Sequence, residues 1–144
     1  MNKLKEKKLN NKGFSLVELI IVIAIMAVLI GVLAPQYLRY VERSRNSTDR
    51  DNCAAIESAL QVWGSETDTA LTLFVTDAAG TTLTVNQTGN IAISGTNAAA
   101  AQAALANAGI PLTTNCASRS AWTSYQITLT VAADGTVTVG NNLP

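Results

Sequence analysis

An α+β fold, with one long N-terminal helix packed on a small antiparallel sheet, is predicted by three features of the sequence. The first is an apolar stretch over residues 14–35, and the second is a helical spacing of apolar residues that continues to residue 64. The third is a change to alternating apolar and polar residues after Gly64. The chain of 144 residues has room for one small domain and an anchor. The predicted segments are a basic segment (1–13), an apolar helix (14–35), its amphipathic continuation (36–64) and a sheet-bearing head (65–144).

The N-terminal quarter of the chain combines the basic segment with the apolar helix. Residues 1–13 carry five lysines and one acidic residue, Glu6, whereas residues 19–34 carry no charge. Counted from Phe14, the apolar stretch has about 21 residues and would be about 30 Å long as a helix, which matches the hydrocarbon core of a bilayer. Arginines follow its far end more sparsely, so the denser charge of the first segment predicts a cytoplasmic N-terminus.

The helical pattern continues beyond the apolar stretch. In residues 51–63 the apolar residues recur with spacings of 3, 4 and 3, which places them on one face of a helix. They are Cys53, Ile56, Leu60 and Trp63. Because only Pro35 interrupts the run, we predict one helix of about 50 residues, near 75 Å long, that is apolar all round in its first half and amphipathic in its second.

The head is expected to form an antiparallel sheet with one helix. The predicted hairpins join residues 71–76 to 81–86 across a turn at 78–80, and residues 125–131 to 136–139 across a turn at 134–135. Residues 91–94 predict a short additional strand. An alanine-rich run with Thr96 and Asn97 before it, and with Gly109 and Pro111 after it, predicts a capped surface helix.

Composition excludes several classes of function. The chain has no histidine and its last lysine is Lys12, so a mature protein without the basic segment would lack histidine bases, lysine Schiff bases and histidine metal ligands. Arg119 is the single basic residue beyond Asn52, which leaves the outer half without a basic footprint for binding a nucleic-acid backbone. The scattered acids of the head lack the spacing of a calcium loop. We therefore predict no catalytic residue, no metal and no cofactor.

The junction between the basic segment and the apolar helix carries the strongest signal. A secretory signal peptide is cut after its apolar region, whereas here Gly13 and Phe14 precede that region and Glu18 lies inside it. This order of parts resembles the class III leader of type IV prepilins and pseudopilins. The resemblance extends over about residues 8–64, and the head beyond it matches no family pattern.

The resemblance implies a processing pathway and a set of partners. A prepilin peptidase would cut after Gly13 and methylate the new terminal amine of Phe14. The subunit would be a single-pass membrane protein until the pilus assembly machinery adds it to a homo-oligomeric helical filament at the cell surface. Adhesion, twitching motility and DNA uptake are all compatible with the resemblance, and it leaves binding of DNA or of a host surface open.

Glu18 has a physical reason to require a partner. A carboxylate within a membrane helix costs about 2.5–3.5 kcal/mol on the mildest scale. In the family that the leader resembles, the corresponding glutamate pairs with the terminal amine of a neighbouring subunit, here Phe14, and sets the axial register. The alternative is a glutamate tolerated at the membrane interface without a partner.

Gly31 and Pro35 predict a weak turn in the helix. Pro35 has no N–H to donate to the carbonyl of Gly31, and glycine is itself a poor helix former. A simple kink is one interpretation. The other, implied by the family, is that the turn melts to extended chain inside the filament, whereas the free subunit keeps a continuous helix.

Cys53 and Cys116 are the two cysteines of the chain. In an extracellular head they could form a disulfide that closes about 62 intervening residues and stabilises the head by about 4 kcal/mol in the chain-entropy estimate. Many pilins place both cysteines late in the head, and this spacing departs from that pattern. The alternative is a buried free Cys53 and an unrelated Cys116.

Four functional classes remain to be weighed. The major pilin and the pseudopilin of a secretion or competence machine share the same N-terminus. A secreted soluble protein would use residues 1–34 as a signal peptide, but Pro35 would follow the cut and Glu18 would interrupt the apolar region. An enzyme tethered by one helix lacks any serine- or cysteine-centred constellation. The sequence favours the filament subunit.

Overall fold

The computed structural model describes residues 13–65 and 74–144. They form two helices and four strands in the order α1, β1, β2, α2, β3 and β4. Their bounds are Leu16–Ser65 for α1, Asp77–Asn86 for β1, Ile91–Ser94 for β2, Ala98–Asn107 for α2, Ser124–Val131 for β3 and Val137–Asn141 for β4. The chain divides into two compact units, Met1–Arg39 and Tyr40–Pro144.

The predicted long helix is confirmed as α1, which begins at Leu16 and ends at Ser65. It continues through Gly31 and Pro35 without interruption. The large apolar side chains over residues 16–33 are all more than half exposed. Among the described residues, α1 is the one helix that is long and apolar enough to cross a membrane, with a mean hydropathy of 3.1 in its most apolar stretch.

The amphipathic half of α1 supplies one wall of the core in the second unit. Cys53, Ile56 and Leu60 are buried, as the helical spacing predicts, and Trp63 is half-buried beside them. Asp49, one turn before Cys53 on the same face, is also fully buried. The buried face of α1 is therefore longer than the apolar spacing predicts, and it begins with a carboxylate.

The sheet has four antiparallel strands in the order β2-β1-β3-β4. Alternate residues of the two central strands point into the core, as period two requires. The buried residues of β1 and β3 are Asp77, Thr81, Leu83, Val85, Tyr125, Ile127, Leu129 and Val131. The apolar residues of this set form one cluster with the buried face of α1 and with α2.

The prediction of a turn at residues 78–80 is wrong. β1 runs through these residues as one strand and pairs with both β2 and β3. The register shifts between Asp77 and Thr81, where the Asp77 carboxylate accepts hydrogen bonds from Gly80 N at 3.1 Å and from Thr81 Oγ1 at 2.9 Å. With Gly80 at a φ of +84°, this local arrangement makes a bulge and not a reversal of the chain. Of the first predicted strand, residues 71–73 lie outside the described residues, and residues 74–76 are not in a strand.

The alanine-rich helix is confirmed as α2, but its predicted exposure and N-cap are not. Ala100, Ala101, Ala104 and Leu105 are buried, so one face of α2 belongs to the core. Asn97 makes no side-chain capping bond, because its amide bonds both the N–H and the C=O of Val75 instead.

The C-terminal end of α2 follows the predicted glycine stop. Gly109 has a φ of +73°, and Ile110 N donates to Leu105 O at 2.9 Å while Gly109 N donates to Ala106 O at 3.1 Å. These two bonds form a Schellman motif, which satisfies carbonyls that the end of the helix would otherwise leave free.

The second predicted hairpin is confirmed as β3 and β4, with Val131 opposite Val137. Asp134 Oδ1 accepts a hydrogen bond from Thr136 N at 2.9 Å and shapes the turn. After β4 the C-terminal residues run antiparallel to α1. Asn141 Nδ2 donates to Glu57 Oε1 at 2.7 Å, and Arg50 Nη2 donates to Pro144 O at 2.9 Å. β4 and the residues after it are thus fixed to the amphipathic half of α1.

Candidate assembly site

The residues of the predicted cleavage site precede the first turn of α1. Gly13 and Phe14 lie outside the helix, and Phe14 is 91 % exposed. A peptide bond in exposed, non-helical chain is the form that a peptidase can bind, whereas a helical bond would first have to unfold. The structure therefore leaves the bond between Gly13 and Phe14 accessible.

Glu18 has a local partner in the free chain that the sequence analysis missed. Its Oε2 atom accepts a hydrogen bond from Ser15 N at 2.9 Å. Ser15 immediately precedes the helix and Glu18 is its third residue, so this is the glutamate half of a capping box. The Ser-x-x-Glu spacing of Ser15 and Glu18 is the sequence signal that would have revealed it.

A buried carboxylate on α1 binds the loop between α2 and β3. Asp49 is fully buried and accepts hydrogen bonds from Ala117 N at 2.6 Å, Ser118 N at 2.9 Å and Trp122 Nε1 at 2.8 Å. Two backbone amides and one indole N–H therefore compensate the desolvation of one carboxylate. We call residues 116–122 the clamped loop.

Glu42, two helical turns before Asp49 on α1, binds the same loop. Its Oε1 atom accepts hydrogen bonds from Ser118 Oγ at 2.9 Å, Arg119 N at 2.7 Å and Ser120 N at 2.7 Å. The backbone amides of Ser120 and Arg119 are the main reason that the pKa of Glu42 is lowered to about 2. Ser118 Oγ in turn accepts bonds from Ala121 N and Trp122 N, which closes the clamped loop on itself.

Neither Glu42 nor Asp49 was singled out in the sequence analysis, although a signal was present. The two acids are seven residues apart, which is two helical turns, and Asp49 is four residues before Cys53. Both therefore continue the apolar face of α1 towards its N-terminus. An acid that falls on the extension of a buried face needs donors opposite it, and that inference was available from spacing alone.

The two cysteines lie in the same core, and in the structure both thiols are free. Cys116 Sγ donates to Asp49 Oδ2 at 3.3 Å, so this thiol takes part in the carboxylate network. Burial is the main reason that the pKa of each thiol is raised to about 11, and both are therefore protonated at neutral pH. The disulfide between Cys53 and Cys116 stays a prediction.

The site is built from carboxylates, backbone amides and an exposed apolar helix. Over residues 13–65 and 74–144, no three side chains from histidine, cysteine, aspartate and glutamate come close enough to hold a metal ion. Two acids of α1, Glu42 and Asp49, are instead matched to backbone amides of the clamped loop. Over residues 13–39, the N-terminal unit offers an exposed apolar helix and one carboxylate, Glu18.

Comparison with known proteins supports the resemblance of residues 8–34 to a prepilin leader. Residues 8–34 match the family described as the prokaryotic N-terminal methylation motif. The match covers the bond between Gly13 and Phe14, the carboxylate of Glu18 and nearly all of the predicted apolar segment. The resemblance stated from the residues alone is thereby confirmed.

Two curated relatives extend the similarity beyond the motif. The chain is 35 % identical over 95 residues to prepilin peptidase-dependent protein A of Clostridium perfringens, which covers 62 % of this chain and 61 % of that protein. It is 36 % identical over 58 residues to the type IV major pilin protein PilA of Myxococcus xanthus, which covers 40 % of this chain and 26 % of that protein. The matches thus span less than two thirds of either relative's length. No solved structure matches the chain significantly.

Proposed function

We propose that this chain, which carries a prepilin-type methylation motif on an α+β fold of the type IV pilin kind, is a structural subunit of a type IV pilus. The observation that supports this best is the apolar helix with more than half-exposed side chains directly after the junction of Gly13 and Phe14. Such a surface needs lipid before assembly and other helices after it. The names of both relatives point to the same class of protein.

Processing is the first step of the proposed function. A prepilin peptidase removes residues 1–13, and the new amine of Phe14 is methylated. The exposed, non-helical position of Phe14 fits this step, because neither cleavage nor methylation then requires α1 to unfold. The apolar helix stays on the mature subunit and anchors it in the membrane, with its N-terminus on the cytoplasmic side.

Assembly follows through the same helix. In the free chain Glu18 is bound to Ser15 N, which keeps one backbone donor satisfied and fixes the side chain near the helix start. In the filament, the cationic amine of Phe14 from a neighbouring copy replaces or joins that bond. Leaving either charge unpaired among apolar helices costs about 3–5 kcal/mol, so the requirement for pairing favours one axial register over others.

N-terminal sequencing and intact mass of the protein purified from cells test the proposal. We expect a mature chain that begins at a methylated Phe14 and that is recovered in long filaments sheared from the cell surface. A terminus at Pro35, or an uncut Met1, would contradict the proposal. A terminus at Phe14 in short assemblies confined to the cell envelope would assign the chain to the pseudopilins instead.

A further inference from the structure

Exposed arginines gather at one end of the second unit. Lys12 is the last lysine, so arginines supply all the basic side chains of the described residues. Arg43 and Arg45 are both exposed on α1. Viewed down the helix axis, they flank the side chain of Glu42 on its two sides. Glu42 Oε1 accepts a bond from Arg119 N at 2.7 Å, which brings the exposed Arg119 of the clamped loop beside them from 77 positions away.

The neighbouring acids compensate these arginines only weakly. Glu42 directs its Oε1 atom to the clamped loop, and Arg45 Nη1 lies 3.6 Å from its other oxygen. This is the one ion pair between side chains over residues 13–65 and 74–144. Asp49 is buried against the loop amides. The guanidinium groups of Arg43 and Arg119 therefore face solvent without a carboxylate partner in the described structure.

An exposed tyrosine accompanies the arginines. Tyr40 is three residues before Arg43 on α1, and the two side chains are helical neighbours. It is 72 % exposed, and Tyr37 in the preceding turn is 66 % exposed, whereas the third tyrosine of the chain, Tyr125, is fully buried. Tyrosine is enriched at membrane–water interfaces, because its ring prefers the acyl boundary and its hydroxyl prefers water.

The position of this group along the chain fits the headgroup layer. Arg43 follows Pro35, the end of the predicted membrane segment, by eight residues, or about 12 Å of helix. Arginine side chains reach several ångströms further, and a guanidinium can bind a phosphate with two parallel hydrogen bonds. A basic side chain near an anionic membrane surface is attracted to it by about 1 kcal/mol, and this attraction falls off within a Debye length.

We infer that Tyr40, Arg43, Arg45 and Arg119 form a surface, here called the basic collar, that binds anionic phospholipid headgroups before assembly. The inference rests on the proposed function, since the collar meets lipid only if α1 is anchored in a membrane. The clamped loop is what completes the collar, because it places Arg119 beside the arginines of α1. The collar keeps the anchored head in contact with the bilayer surface until the subunit leaves for the filament.

Spin-labelled lipids test the collar. The full chain is reconstituted in phosphatidylcholine vesicles that contain a minority of phosphatidylglycerol, and electron spin resonance measures the enrichment of each labelled lipid around the protein. We expect labelled phosphatidylglycerol to be enriched over labelled phosphatidylcholine. The triple variant R43Q/R45Q/R119Q should lose that enrichment, with up to about a fivefold change per arginine at low salt. High salt should weaken the enrichment of the wild type, because screening shortens electrostatic interactions.

The matched control is Arg50→Gln, which removes the same charge from α1 at a residue bound to the carbonyl of Pro144. This variant should keep the wild-type enrichment. Equal enrichment in the triple variant, or an equal loss in the control, overturns the inference. Binding of duplex DNA through the same arginines, without lipid enrichment, also overturns it.

Protease accessibility of the head, measured first on the same vesicles, separates the inference from the proposed function. A chain that fails to insert contradicts the membrane anchoring in the proposed function. A chain that inserts and shows no lipid preference contradicts the basic collar alone.

Discussion

The indole Nε1 of Trp122 donates a hydrogen bond of 2.8 Å to the carboxylate of Asp49, across 73 positions of sequence. The same carboxylate accepts two backbone amides of the clamped loop. A buried charge held by three N–H donors fixes both the loop and the face of α1 that carries it, since any displacement would leave the carboxylate or its donors without partners. The buried face of α1 is therefore polar at Glu42 and Asp49, where it binds this loop, and apolar from Cys53 to Leu60, where it joins the core.

We expect Asp49→Ala to destabilise the head strongly. The substitution would leave the buried amide of Ser118 and the half-buried donors of Ala117 and Trp122 without their acceptor, and an orphaned buried donor costs about 1–3 kcal/mol. Urea denaturation of the full chain in detergent, followed by tryptophan fluorescence, should show a loss of about 3 kcal/mol or more. The control is Asp51→Ala, an exposed acid on the same helix, for which we expect little change. Equal stability of the two variants would contradict the assigned role of Asp49.

Glu42 predicts a pH dependence of stability. Its pKa is lowered to about 2 in the folded head by the amides of Ser120 and Arg119, against an ordinary value of 4.5. Because the folded pKa lies below the unfolded one, ionised Glu42 stabilises the head fully above about pH 4.5 and loses this effect as the pH falls towards 2. Wild type should therefore be more stable than Glu42→Gln at pH 6, and the difference should shrink progressively in acid. A difference that does not change between pH 6 and pH 3 would show that the charge of Glu42 is not responsible.

Glu18 can be tested for its charge separately from its helix cap. Glu18→Gln keeps an oxygen that can accept the bond from Ser15 N but removes the charge, whereas Glu18→Ala removes both. If an ion pair with the amine of Phe14 sets the register, both variants should be inserted and cleaved, and neither should enter filaments efficiently as the sole copy. Normal filament yield from Glu18→Gln, measured by shearing and electron microscopy, would show that the cap alone matters.

The weak turn around Gly31 and Pro35 is predicted to unwind only in the filament. Extension of five residues from about 1.5 to about 3.3 Å per residue would lengthen the stem by roughly 9 Å. A methyl group added at Gly31 meets no atom within 4 Å, so the double variant Gly31→Ala with Pro35→Ala should keep the helix of the free subunit and stiffen this turn. It should alter the rise or the extensibility of the filament. A filament map with unbroken helix through Ala34 would refute the unwinding.

The predicted disulfide is tested by thiol counting in the denatured, unreduced protein. If Cys53 and Cys116 are bridged in the oxidised protein, neither will react with an alkylating reagent. Cys53→Ser and Cys116→Ser should then lower the melting temperature by similar amounts, and reductant should remove the difference from wild type. Two alkylated cysteines would exclude the bridge and would leave Cys116 as the thiol that donates to Asp49.

The sequence predicts the fold well where periodicity is long. Residues 53–63 show their helical face, and the hairpin of β3 and β4 shows its alternation together with an Asp-Gly turn. The failures come from local polar bonding. The Asp77 carboxylate turns a predicted reversal at Gly80 into a bulge, and the pairing of Asn97 with Val75 displaces an ordinary N-cap. Both depend on which backbone groups face a side chain, and short-range pattern does not contain that information.

One part of the site can be predicted from the sequence and the other part cannot. The junction of Gly13 and Phe14 and the solitary Glu18 can be read from the order of residues, because charge inside an apolar helix is conspicuous. The clamped loop could not be predicted. Glu42 and Asp49 lie on the buried face of α1, but their partners are mostly backbone amides, which every sequence segment offers equally. Only the folded chain shows which segment supplies them.

The clamped loop and its two acids, Glu42 and Asp49, are far apart in sequence. This distance limits how early their contacts can form during folding. The bonds of the loop to Glu42 and Asp49 join residues that are 67 to 78 positions apart, so they form only after the chain has been made nearly to β3. Contacts of such long range close slowly, because the entropy of a large loop must be lost before any bond compensates it. Until then the carboxylates of Glu42 and Asp49 have no donors from the clamped loop. The two acids of α1 therefore obtain their partners only from the last third of the chain.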